Sequence, residues 1–282
     1  MKYSGESILM NCSISGCAVM NHWTRRSIDF AQQRNYLDEL FKVYPLSPNL
    51  RRELSQEQEG SLRDAYSSRD TVRLVETLLN AELFPVKDSY VPFLRYDRTA
   101  ISRNPQTINR IAGSLYQMGI EAVIEKCTAP KETNRQMGPL FKKWIAKGVI
   151  GVPVLNEPEE FLRREDNCIL NASDGIMQAF AAEYLGFRRN KGVDFLAKFS
   201  GKYVVGEAKF LTDFGGHQYA QFEDALTSIH AFRKTSLDVI PIAILDGVLY
   251  IRNHGKMHTY LAAHHQDNIM SALVLREFLY SL

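Results

Sequence analysis

Between Lys191 and Phe210 the chain reads KGVDFLAKFSGKYVVGEAKF: two apolar, β-rich runs, Val193–Phe199 and Tyr203–Phe210, separated by the short turn Ser200-Gly201-Lys202. That pattern predicts two strands joined as a hairpin. Three charged residues sit in awkward places within it. Asp194 lies inside the first run, and Glu207 and Lys209 flank Ala208 near the end of the second. Residues two apart on a strand share a face, so Glu207 and Lys209 must project together. Antiparallel pairing through the turn would put Asp194 beside them. Carboxylates are seldom placed among core residues without a partner or a metal. The trio is therefore a candidate active site, set against the plainer reading of an exposed Glu–Lys pair on solvated strand ends.

The remaining sequence predicts what surrounds this hairpin. Thr24–Tyr44 carries Ile28, Phe30, Leu37, Leu40, Phe41 and Val43 at helical spacing, and Ser61–Tyr66 and Asp70–Leu79 continue in that style. Asn104-Pro105 opens a helix to about Met118, because proline suits a first helical turn. A polar loop, Thr128–Gln136, precedes a helix that Gly138-Pro139 starts and Gly148 ends. Beyond about residue 150 come a helix at Asp174–Leu185, the hairpin, a helix at Gln218–Phe232 and a strand at Val239–Leu245. A strand at Val248–Arg252 follows the Asp246-Gly247 turn, and Asn268–Leu282 reads as a closing helix. Pro241 argues for an edge position of its strand. The expectation is an α/β fold, with a small mixed sheet flanked by helices and a helical N-terminal lobe. The expected division is a mainly helical lobe over 1–150 and a catalytic core over 151–282.

Composition narrows function mainly by exclusion. The 282 residues are 45% hydrophobic and 23% charged, ordinary for a globular protein, and the net charge of +2 neither demands nor forbids a nucleic-acid partner. Cys12, Cys17, Cys127 and Cys168 form no CxxC pair or Cys/His cluster, which argues against structural zinc. No window is apolar enough to span a membrane, and the interrupted N-terminal patches make a poor signal peptide, so the expected location is cytoplasmic. There is no P-loop and no GxGxxG fingerprint, which leaves ATP-driven and dinucleotide chemistry without support.

The trio has a clear chemical use. Cleaving a phosphodiester requires charge neutralisation at phosphorus and delivery of a water in line. Two adjacent carboxylates suit Mg²⁺, a hard cation that prefers oxygen ligands and keeps several waters. The Ala208 backbone carbonyl would complete the shell, and Lys209 would hold or help deprotonate the water. Residues 173–252 resemble the PD-(D/E)xK nuclease core of type II restriction endonucleases. Asp194 matches the first acidic residue and Glu207-Ala208-Lys209 the (D/E)xK tripeptide, with Val193 in place of the motif's proline. The resemblance implies a Mg²⁺-dependent, site-specific endonuclease acting on double-stranded DNA as a homodimer, with 5′-phosphate products. It also suggests a further acidic ligand from the preceding helix, for which Glu183 is the candidate, although a solvated role suits that residue as well.

Several polar residues are candidates for DNA contact. Arg135, Gln136, Lys142 and Lys143 surround the start and flank of the predicted 138–147 helix, whose Leu140, Phe141, Trp144 and Ile145 form a buried face. Arg188 and Arg189 belong to the basic run that leads into the strand of Asp194. His217, Gln218 and Gln221 follow the Gly215-Gly216 turn, where plain turn and cap chemistry would also account for them. Two other functions remain open: a repair or nicking nuclease of the same fold, and a DNA-binding protein with a purely structural trio.

Overall fold

The computed structural model describes residues 20–46, 51–130, 133–251 and 255–282, with the backbone alone for 133–135 and 255–257. Cys12 and Cys17 lie outside the described residues. The fold is mixed α/β, as expected: among the described residues there are fourteen α-helices and one six-stranded sheet. Two compact units are present. One comprises the chain up to Leu46 and from Met137 onward, and the other the stretch between Ser47 and Gln136.

In the first unit, α1 (His22–Ala31) and α2 (Tyr36–Val43) occupy the stretch expected to be one helix. The two helices break at 32–35. Ile28 of α1 joins the core around Phe222 and Tyr250, while Trp23 and Phe30 of α1 and Tyr36, Leu40 and Val43 of α2 pack with the one around Phe141 and Phe195.

The second unit is helical: α3 (Gln56–Ser67), α4 (Thr71–Leu79), α5 (Val91–Tyr96), α6 (Ala100–Arg103), α7 (Pro105–Met118) and α8 (Ile120–Cys127). Local chemistry fixes its helix starts. Ser55 and Gln58 form a capping box at α3, Asp70 accepts from the Arg73 amide at α4, and Pro105 occupies the first position of α7. Leu62, Leu74, Leu78, Ile108, Ile111 and Leu115 fill the core between them. The buried Arg52 holds the end of this unit by donating to the carbonyls of Ala129 and Pro130. Gly119, with φ of +85°, makes the sharp joint between α7 and α8 that a side chain would strain.

Returning to the first unit, α9 (Thr133–Ala146) leads to β1 (Val154–Leu155), α10 (Pro158–Arg163), β2 (Cys168–Leu170) and α11 (Asp174–Tyr184). The hairpin follows as β3 (Phe195–Phe199) and β4 (Lys202–Leu211), then α12 (Gly216–Ile229), β5 (Val239–Gly247), α13 (Gly255–Ala263), β6 (Asn268–Met270) and α14 (Ala272–Tyr280). The strands lie in sequence order, β1 to β6. β3 pairs antiparallel with β2 and β4, while β1–β2, β4–β5 and β5–β6 are parallel. Side-chain alternation gives each face its own cover. Phe195, Ala197, Phe199, Val204 and Ala208 pack with Phe141 and Ile145 of α9 and Leu275 and Phe278 of α14. On the other face, Leu196 and Val205 meet Met177 and Phe180 of α11, and Leu211 and Leu245 meet Phe222 and Leu226 of α12.

The structure corrects several expectations. Packing sets the boundaries at Leu46 and Met137 instead of near residue 150, since α1, α2 and α9 from Met137 onward belong to the sheet-bearing unit. α9 begins at Thr133 and carries Pro139 inside it, so that proline does not open the helix. β5 is interior, between β4 and β6, yet β6 pairs only from Ile242 onward, so Pro241 faces a single neighbouring strand. Val248–Tyr250 is a 3₁₀ turn, not a strand. The terminal stretch contains a short parallel strand, β6, before Ser271 caps α14.

Candidate active site

The β3–β4 register places the three candidate residues together. Phe195 pairs with Gly206, and the Asp194 amide donates to the Gly206 carbonyl at 2.9 Å, so Asp194 sits at the mouth of β3 across from Glu207. The Ala208 amide in turn donates to Asp194 Oδ2 at 2.9 Å. In a strand, one residue's N–H and C=O point to the same side. The Ala208 carbonyl therefore lies on the side where β3 has already ended, next to the Asp194 carboxylate. Gly192 lets this corner close on α11, because a Cβ there would come within 2.9 Å of Asp174 Cβ.

By alternation Glu207 shares the face of Val205 and Leu211, toward α12, and is only 2% exposed. Its Oε1 accepts from Lys209 Nζ at 2.5 Å and from Lys191 Nζ at 2.7 Å. Its Oε2 is buried without a hydrogen-bond partner. Lys191 also reaches Asp224 Oδ2 of α12 at 2.7 Å, and Arg189 braces Asp224 through its Oδ1 at 2.7 Å and its carbonyl at 2.9 Å. The same guanidinium reaches Ser228 Oγ at 2.6 Å.

These contacts set the charge states. Burial, reinforced by the negative charge of Glu207, pushes the Asp194 carboxyl up to about 6, against the pull of Lys209, the Ala208 amide and Lys142. Burial opposes the charge of Lys209, but Glu207 and Asp194 outweigh it and hold the ammonium above its ordinary value. For Asp224 burial is likewise outweighed, here by Lys191 and Arg189, which keep that carboxyl low. Near neutral pH the cluster thus holds an ionised Asp224 and a charged Lys209, while Asp194 holds its proton more tightly than an ordinary carboxyl.

The other candidate residues are distributed unevenly. Lys142 is half-buried and paired with Asp174, the first residue of α11, for which Ser173 serves as the N-cap. Lys143, Arg188 and His217 are exposed, and Gln221 Nε2 lies 3.3 Å from His217 Nε2. Gln218 is buried, and its Oε1 accepts from the Thr212 amide, so it closes the turn from β4 into α12. Gln136 is buried as well, which withholds it from a partner in solvent. Arg189 is committed to Asp224 and Ser228 rather than presented to a phosphate. The Arg135 side chain lies outside what the structure describes. Glu183 is exposed on α11 and lines a cavity with Pro158, Glu159 and Leu162, which the trio does not share. Sequence reasoning missed the Lys191–Asp224 link. The only trace of it is that Asp224 precedes the buried pair Ala225-Leu226 of α12.

A divalent cation fits the donor set of Asp194, Glu207 and the Ala208 carbonyl. All are oxygens, and Glu207 Oε2 has unused acceptor capacity that burial makes costly. Among the described residues no group of three His, Cys, Asp or Glu side chains is placed to hold a metal, so such an ion would rely on the backbone oxygen and on water. The buried thiols of Cys127 and Cys168 are free, and burial pushes Cys127 up to about 11, which suits packing rather than ligation. No described helix is long and apolar enough to cross a membrane. Comparison with curated proteins gives no match. A family model described as Tsp45I type II restriction enzyme matches residues 21–282.

Proposed function

From the membership of this chain in the Tsp45I type II restriction enzyme family, we propose that it hydrolyses phosphodiester bonds of double-stranded DNA at a specific sequence, with Mg²⁺ as cofactor and Asp194, Glu207 and Lys209 as catalytic residues. Family membership supports the nuclease activity and the DNA partner. The observation that carries the site assignment is the side-by-side placement of Asp194 and Glu207, with a buried glutamate oxygen left unpartnered.

In this reading Asp194, Glu207 and the Ala208 carbonyl would hold the cation, which when bound would supply charge neutralisation at the scissile phosphate and acidify a water. Lys209, kept charged by its two carboxylate neighbours, donates hydrogen bonds that orient the attacking water and the phosphate oxygen beside it. Attack of the water oxygen at phosphorus forms a new P–O bond and breaks the bond to O3′; the water gives up a proton to solvent and the leaving O3′ takes one up, leaving a 5′-phosphate and a 3′-hydroxyl. Burial of Glu207 keeps its charge from being screened by solvent, while Lys191 and Lys209 fix its orientation. Lys143 and Arg188, exposed in the same unit, are suited to phosphate contacts that position the duplex.

Digestion of a sequenced plasmid tests this. Discrete fragments are expected with Mg²⁺ and none with EDTA, and Glu207→Ala and Lys209→Ala are expected to lose at least about a hundredfold in rate. An intact plasmid across metals and salts, with DNA binding retained, would instead favour a binding protein with a structural trio.

A further inference from the structure

We propose that the exposed aromatic ridge on α5 of the helical unit is a docking surface for duplex DNA, separate from the candidate active site; this rests on the nuclease reading above. Tyr90, Phe93 and Tyr96 are 62%, 60% and 95% exposed, and they recur every third residue from the N-cap of α5 to its last residue. The opposite side of α5 buries Val91 and Leu94 in the core of the unit, so the helix is anchored and the ridge is displayed rather than frayed. Rings of this size normally bury most of their surface. Keeping three in water at one place marks a binding surface.

Charge selects the partner. From Lys87 to Arg110 there are five basic residues, Lys87, Arg95, Arg98, Arg103 and Arg110, and two acidic ones, Asp88 and Asp97. Both carboxylates are already taken, Asp88 by Arg110 and Asp97 by Arg103. Arg95 and Arg98 donate instead to neutral oxygens of Ala81, Leu79 and Asn80, and Lys87 is exposed. The charge left over around the rings, from Lys87, Arg95 and Arg98, is therefore positive, while the Arg110 guanidinium, already paired with Asp88, lies 5.6 Å from the centroid of Tyr90. A second copy of the same patch, meeting it across a two-fold axis, would bring like charges together. A polyanion with apolar base edges and sugars between its phosphates fits both features. Cations take the phosphates, and rings press into a groove or wedge a base step. The stretch Ser47–Gln136 thereby becomes a DNA-engaging module, with α5 as its contact edge.

The test is filter binding of linearised plasmid to the full chain, with Ca²⁺ replacing Mg²⁺ so that binding is read without cleavage. Phe93→Ser/Tyr96→Ser is expected to weaken binding at least tenfold with an unchanged thermal melt, because both side chains are exposed. Val72→Ser, which removes a 46% exposed apolar side chain elsewhere in the same unit, is expected to leave affinity unchanged. Lys87→Ala is expected to lower the slope of log affinity against log salt by about one. If wild type binds and the double variant binds within twofold of it, the ridge is not a DNA surface. A fall in sedimenting mass without loss of affinity would assign the ridge to self-association and overturn the proposal. Failure of the wild-type chain to bind any duplex would overturn the nuclease reading itself.

Discussion

At the scale of single residues, Glu207 is the centre of the candidate site because it is buried and asymmetric. Two ammonium groups share Oε1, while Oε2 has no partner. A buried carboxylate left so uneven is costly unless something else completes it. Lys191 appears in the sequence as part of a basic approach to DNA, but in the fold it bridges Glu207 to Asp224, which Arg189 braces. Its consequence is positional: the chain of ion pairs fixes which oxygen Glu207 presents. Lys191→Met and Asp224→Asn are each expected to lower the cleavage rate about 10–100-fold at limiting Mg²⁺, the usual penalty for losing a group that orients a metal ligand. Initial rates across a Mg²⁺ titration check this, and curves that superpose on wild type would remove the two residues from the site.

At the scale of elements, one carboxylate ties three pieces of the first unit together. Asp246 on β5 is fully buried and accepts from Tyr44 Oη just after α2 at 2.7 Å, from Ser271 Oγ at the cap of α14 at 2.5 Å, and from the Ala272 amide at 3.2 Å. Burial pushes this carboxyl up to about 6 despite those three donors. The folded state therefore holds the proton more tightly than the unfolded chain does. This contribution to stability is fully present below about pH 4, the ordinary carboxylate value, and is lost as pH rises through about 6. Asp246→Asn does not titrate, so the stability of wild type relative to this variant is expected to decline between those limits. The decline is at most about 3 kcal/mol, at 1.36 kcal/mol per tenfold change in proton affinity. Urea unfolding at a series of pH values measures it, and two parallel stability profiles would show that Asp246 keeps an ordinary pKa. Any fixed offset between the proteins reports the altered hydrogen bonds and is separate from the slope.

At the scale of the whole molecule, chain order and packing order part company. The described residues of 20–46 and 137–282 build one unit around the sheet, and the stretch between them folds on a core of its own. A nuclease that cuts both strands of a two-fold symmetric site in one binding event is served by two copies of its active site, one for each strand. The chain is accordingly expected to sediment on cognate duplex as a complex holding two 32.2 kDa chains in addition to the mass of the DNA. Analytical ultracentrifugation with a short duplex decides this, and a complex containing one chain would argue for nicking or for sequential cuts.

The sequence by itself determined the hairpin, its turn and the trio, because these depend on local rules. Alternation puts Glu207 and Lys209 on one face, apolar runs demand burial, and Ser200-Gly201 with positive φ supplies the turn. It likewise carried the helix starts at Asp70 and Pro105, where the cap or first-turn residue is written into the chain. Only the tertiary structure decided the rest. Strands of two or three residues, such as β1, β2 and β6, leave no periodicity to read, since their stability comes from neighbouring strands. Arg189, Gln136 and Gln218 look like surface groups in one dimension and are withdrawn by partners or burial in three. The link from Glu207 through Lys191 to Asp224 joins residues 16 and 33 positions apart. No local propensity encodes such a link: it exists because α12 packs across the face of β4 on which Glu207 projects.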